Sequence, residues 1–91
     1  MEQPKTFGEY VRATRIERGE TLRQLESRCG IPNPTLSRIE DGGIAMPTPD
    51  RFMLLVDALE LNLITAIKLI PAYRRMYERI IATIQTGETN D

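Results

Sequence analysis

The stretch Thr21–Gly42, TLRQLESRCGIPNPTLSRIEDG, leaves few folds open to this chain. Thr21 with Gln24 three residues on is a capping box: the hydroxyl accepts from the third amide and the Gln side chain reaches back. Leu22 and Leu25 then point inward from a short helix that ends near Cys29-Gly30, because glycine takes the left-handed backbone of a sharp turn at little cost. Ile31 is expected to plug the core between this helix and the next. Asn33-Pro34 opens the second helix, with asparagine as a cap and proline preformed for the first helical position. Leu36 and Ile39 form its buried side, and Asp41-Gly42-Gly43 ends it. Two helices of about two turns each cannot bury their apolar sides on one another alone, so the remaining chain must supply the core around them.

Upstream, Met1–Lys5 reads as a frayed arm. Thr6-Phe7-Gly8-Glu9 repeats the capping box and opens a helix that carries Phe7, Val11 and Thr14 on one face, runs to about Arg18 and stops at Gly19. Downstream, Ile44–Pro47 is a loop. Thr48 or Asp50 caps a fourth helix bearing Phe52, Leu55, Val56 and Leu59 at helical spacing. Asn62 caps a fifth, Leu63–Ile70, apolar on most sides, and Pro71 breaks or bends the chain. The expected fold is all-α, with its core built from Phe7, Val11, Leu25, Ile31, Leu36, Ile39, Phe52, Leu55, Val56, Leu59 and Leu63. Such a chain, at 91 residues, makes one small-core unit.

Ala72–Gln85 is the second informative stretch. Tyr73, Met76, Tyr77, Ile80, Ile81 and Ile84 recur at i, i+3, i+4, i+7, i+8 and i+11, with Arg74, Arg75, Glu78 and Arg79 largely opposite. Those six are the expected dimerisation residues, since the core above is already sufficient for this size. Left bare, such a stripe is too large a patch for a soluble monomer; packing back on the chain's own core is the alternative. Residues 1–70 thus form a domain, 71–85 a dimerising amphipathic helix, and 86–91 a disordered tail.

Composition narrows the chemistry. The chain has no histidine, which removes the commonest general base and metal ligand, so an enzyme is not expected, and neither is a cofactor or a metal. One cysteine, Cys29, excludes an intrachain disulfide and a cysteine-based zinc site. No apolar run approaches a membrane span and the N-terminus lacks a secretory pattern, so the expected location is the cytoplasm. Net charge is −1. Residues 1–40 hold seven Lys/Arg against six Asp/Glu, and a local basic face is expected from Arg12, Arg18, Arg23, Arg28 and Arg38.

From Gly19 to Gly42 the chain resembles the phage-repressor (XRE/Cro) family of helix-turn-helix proteins. The resemblance is carried by Gly19, Thr21, Leu25, Gly30-Ile31 and the run Thr35-Leu36-Ser37-Arg38-Ile39-Glu40-Asp41-Gly42, and it extends more weakly through Leu61. It implies a compact repressor-like bundle of five helices, here with the extra C-terminal helix, over a prokaryotic or phage-encoded DNA-binding domain at 1–70. It also implies that the second helix of the pair lies in the major groove while the first crosses the phosphate backbone. On that basis Asn33, Thr35 and Arg38 are candidate base contacts. Thr21, Leu22, Arg23, Pro34 and Ser37 are candidate backbone contacts. Arg38 suits guanine O6 and N7; Asn33 is open to reading adenine or to capping its helix. The resemblance further implies a structural salt bridge between Arg15 and Glu40 and a buried, inert Cys29.

Four positions depart from the pattern. Glu26 stands where a small residue lets the two helices approach, so the packing must adjust or Glu26 must swing out. Leu22 replaces a frequent phosphate-binding polar residue, Pro34 a frequent base donor, and Gly43–Met46 lacks the usual Lys/Arg. The resemblance implies a transcriptional regulator, a repressor rather than an activator, whose partners are double-stranded DNA and a second copy on a partly palindromic operator. Two rivals stand beside it: an antitoxin-type regulator that also binds a partner protein, and an interaction adaptor that has lost DNA contact.

Overall fold

In the computed structural model, which describes residues 3–87, the chain threads six helices and no strand among those residues: α1 (Phe7–Glu17), α2 (Leu22–Cys29), α3 (Asn33–Glu40), α4 (Pro49–Leu59), α5 (Leu63–Lys68) and α6 (Pro71–Gln85). Most starts follow the expected local chemistry. Thr21 Oγ1 accepts from the Gln24 amide at 3.1 Å while the Thr21 amide donates to Gln24 Oε1 at 2.8 Å, so the capping box is complete. Thr48 caps α4 and Asn62 caps α5 by the same side-chain device. Thr6 caps α1, but Glu9 reaches one residue further back and accepts from the Lys5 amide at 2.9 Å, tying down part of the segment expected to fray. Met1 and Glu2 lie outside the described residues.

Asn33 is not the cap of α3. That position falls to Pro32, whose carbonyl accepts from the Thr35 and Leu36 amides, and Pro34 sits at the second helical position rather than the first. The physical reason is Glu26: its Oε1 accepts from Asn33 Nδ2 at 3.0 Å, drawing the Asn side chain away from the helix start.

The core joins Phe7 and Val11 of α1, Leu25 and Cys29 of α2, Ile31, Leu36 and Ile39 of α3 and its turn, and Phe52, Leu55, Val56 and Leu59 of α4. Leu61, Ala66 and Ile70 close it below. Leu63 was expected inside but is 43% exposed, because only Ala66 of α5 faces fully inward. The small Ala66 instead lets α5 sit close to its neighbours.

Tyr73 also departs from its expected place. Its ring stands edge-on to Phe52 at 5.2 Å, Phe52 in turn lies 5.2 Å from Phe7, and the Tyr73 hydroxyl donates to the Pro47 carbonyl at 2.9 Å. The tyrosine, one of the six residues expected to dimerise, therefore packs on the chain's own core, fastening the first turn of α6 to α4 and to the loop before it. The rest of α6 buries no residue, with Met76 at 58%, Ile80 at 50% and Ile84 at 68% exposure, and Tyr77 and Ile81 partly covered. Thr86 and Gly87 form a turn after α6; the remainder of the tail expected to be disordered lies outside the described residues.

Candidate nucleic-acid interface

The turn between α2 and α3 is set by Gly30, at φ +79°, whose amide donates to the Glu26 carbonyl at 2.8 Å. A side chain here would be forced into the left-handed region, so the angle between the helices depends on this glycine. Behind the turn, Ile31 and Cys29 are buried, which fixes both helices to the core and leaves their outer faces to solvent.

On α3, Pro34, Ser37 and Arg38 are exposed and Thr35 is half-buried. Arg38 makes no ion pair among the described residues, and its backbone carbonyl is occupied by the Ile44 amide at 3.0 Å. Its guanidinium is thus free for an outside acceptor at the last turn of the helix. Asn33 is half-buried through the Glu26 bond, yet keeps one Nδ2–H and its carbonyl oxygen.

At the start of α2, Thr21 spends its oxygen lone pair on the Gln24 amide but retains its O–H, while Arg23 is exposed and unpaired among the described residues. Leu22 packs partly against the core, so any contact it offers a phosphate runs through its backbone amide.

Of the five arginines expected to form a basic face, three have no ion pair among the described residues. Glu20 accepts from Arg28 Nε at 2.6 Å and Nη2 at 2.7 Å, and Arg18 Nε lies 3.4 Å away. Arg18 also reaches Glu60 at 3.3 Å. Arg18 and Arg28 are therefore neutralised within the protein, leaving Arg12, Arg23 and Arg38. Nothing in the linear pattern singles out Glu20 as the carboxylate that absorbs them.

This cluster makes a measurable pH signature. The Arg28 hydrogen bonds, reinforced by the charges of Arg28 and Arg18, hold the Glu20 carboxyl below its ordinary value near 4.5, with burial opposing. A depressed carboxyl pKa contributes stability that is complete above the unfolded value and lost as pH falls through the folded one. The melting temperature of the Glu20→Gln protein is therefore expected to decline less below about pH 4.5 than that of the wild type. Parallel acid limbs in a thermal-melt series would refute the pairing.

Arg15 and Glu40 are joined behind the interface. Arg15 Nε donates to Glu40 Oε2 at 2.7 Å and Nη2 to Oε1 at 2.9 Å, while Nη1 donates to the Glu20 carbonyl at 2.7 Å. The bond to Glu40 raises the Arg15 pKa, against the opposing pull of burial. This bidentate pair ties the last turn of α1 to the last turn of α3 and sets where the outer face of α3 points.

Gly8 is a positioning residue that sequence reasoning misses. A Cβ at this site would collide with the Ile39 carbonyl oxygen and come within 2.9 Å of the Glu40 carbonyl oxygen. The backbone of α1 thus lies directly on the end of α3. The one signal in the sequence is a glycine inside an otherwise good helical pattern, which usually has a packing reason.

Among the described residues no group of three or more His, Cys, Asp or Glu is placed to hold a metal ion. Nor is any helix among them long and apolar enough to cross a membrane.

Two short helices at a glycine turn, buttressed from α1 and α4 and open on their outer face, define a helix-turn-helix protein. A family model described as a helix-turn-helix domain matches residues 6–63, and the chain belongs to that family, in the XRE-like form its motif resembles. Over 57 residues it is 39% identical to the HTH-type transcriptional repressor RghR of Bacillus subtilis (strain 168), a match covering 63% of this chain and 42% of that protein. The chain thus spans less than half the length of this curated relative. No solved structure matches it.

Proposed function

We propose that the protein is a sequence-specific double-stranded DNA-binding transcriptional regulator, acting as a repressor and as a homodimer on a partly palindromic operator. The observation that carries this reading is the outer face of α3: Pro34, Ser37 and Arg38 are exposed, and among the described residues Arg38 has no ion-pair partner to compete with a base. The family membership and the similarity to a transcriptional repressor support it. In this reading α3 enters the major groove. On the same reading Arg38 donates to guanine, Asn33 and Thr35 reach base edges, and Thr21, Arg23, Pro34, Ser37 and the Leu22 amide meet the backbone. The reading is of a cytoplasmic protein without catalytic chemistry.

Selecting bound duplexes from a random pool tests it. The wild type is expected to enrich a two-fold motif, and Arg38→Ala to lose about 1–3 kcal/mol of discrimination at one position in each half-site. A wild-type pool that enriches nothing would dispose of the reading.

The homodimer rests on α6. Met76, Ile80 and Ile84, flanked by the partly covered Tyr77 and Ile81, form an apolar strip on a helix whose first turn, through Tyr73, packs on the core. In this reading a two-fold dimer built on this strip presents two recognition helices to half-sites about one helical turn, ~34 Å, apart. Because Ile80 and Ile84 are exposed, Ile80→Glu with Ile84→Glu is expected to leave the fold intact and convert the dimer to a monomer in light scattering. A dimer that survives both changes would place the interface elsewhere.

A further inference from the structure

We propose that the corner between α5 and α6 is a second DNA-phosphate-binding surface, separate from the helix-turn-helix; the proposal rests on the duplex-binding reading above. A surface groove here is lined by Lys5, Lys68, Arg74 and Arg75 with Glu78 as the single carboxylate in its lining. Arg74 bonds Glu78 at 3.1 Å, whereas Lys5, Lys68 and Arg75 have no ion pair among the described residues. Lys68 Nζ sits 5.7 Å over the Tyr77 ring, which orients the ammonium without using up its donors. Three uncompensated cations from three separate chain segments thus converge in a protein whose net charge is −1.

Their position favours DNA over other anionic partners. The loop after α3 has no Lys or Arg of its own, yet its Ile44 amide is bonded to the Arg38 carbonyl. A neighbouring groove lined by Gly42, Ile44, Lys5, Leu69 and Pro71 leads from that loop to the cation cluster. The cluster therefore adjoins, through this groove, the loop that follows the recognition helix. A duplex engaged by Arg38 carries one negative charge per about 1.7 Å of axis, and in this proposal phosphates flanking the base contacts meet Lys5, Lys68 and Arg75.

Salt dependence reads the interaction out. With a duplex selected by the wild type, the slope of log K against log salt is expected to become shallower by about 1.8 in the Lys68→Gln, Arg75→Gln protein, at about 0.9 for each phosphate no longer neutralised. The base preference should not change. If that protein melts early because the Tyr77 contact is gone, Lys5→Gln with Arg75→Gln carries the same expectation. An unchanged slope with wild-type binding intact overturns the surface while leaving the regulator reading standing. So does an unchanged slope accompanied by loss of binding to phosphatidylserine vesicles, which would assign the cations to lipid. A wild type that binds no duplex removes both.

A separate observation carries a second inference: we infer that Glu26 is a positioning residue for base reading by Asn33. A carboxylate accepts and does not donate, so the Glu26 bond at 3.0 Å fixes the amino end of the Asn33 amide toward α2. The carbonyl oxygen and the second N–H are left as the donor–acceptor pair that an adenine N6/N7 edge requires. Glu26→Ala is expected to flatten the preference at one A·T pair in each half-site by roughly 5- to 150-fold, leaving the position read by Arg38 unchanged. Glu26→Gln, which still accepts, should retain it. An unaltered preference in the alanine protein, or failure of glutamine to restore it, overturns the role; absence of any wild-type motif overturns the duplex reading itself.

Discussion

Gly8→Ala is expected to destabilise the protein by about 2–3 kcal/mol, although alanine is the better helix former by about 1 kcal/mol. The intrinsic preference loses because the added methyl has nowhere to go. It would collide with the Ile39 carbonyl oxygen and crowd that of Glu40, and both obstacles are backbone at the end of α3. A flexible side chain could rotate aside; a helical carbonyl cannot move without carrying α3 with it. The helices must separate, loosening Phe7 and Val11 from Leu36 and Ile39, all of which are buried. With about 4–8 °C of melting temperature per kcal/mol for a domain of this size, the drop should exceed about 8 °C. A Gly8→Ala protein that melts at or above the wild-type temperature would show that α1 and α3 do not approach this closely.

Glu40→Ala should cost more, about 3–5 kcal/mol, by stranding Arg15. The guanidinium side chain is only 12% exposed and that of Glu40 4%, so water does not replace the missing carboxylate cheaply. One bond, from Nη1 to the Glu20 carbonyl, would remain. Because total stability in such domains is about 5–15 kcal/mol, this change alone brings the fold close to its threshold. Stability is expected to fall before DNA preference changes, since the pair lies behind α3 rather than on its outer face. A denaturant midpoint equal to that of the wild type would count against the bridge.

Both predictions concern the contact between α1 and α3, and they differ in how far the sequence announces them. The Arg15–Glu40 pair is implied by resemblance to a known motif. The glycine contact comes into view only with the packing, because a missing side chain has no periodicity to read.

What the linear chain determined was mostly local: the capping box at Thr21 and Gln24, the left-handed Gly30, a cap at Thr48 or Asp50, the cap at Asn62, and the apolar positions of α1 to α4. Each depends on groups within a few residues of one another, or on a period that survives without knowing the partner. Tertiary structure decided the rest. It took Asn33 from the cap of α3 and gave it to Glu26, seven residues away. It brought Arg18 and Arg28 to Glu20, so that two arginines of the expected basic face spend their charge internally. It turned Tyr73 inward to Phe52 and Pro47, left Leu63 in solvent, and gathered Lys5, Lys68 and Arg75 from three segments into one surface. These outcomes share a physical reason: which partner a charge, an amide or an aromatic ring finds depends on helix orientation and the space between helices, and neither is written in the spacing of any single element.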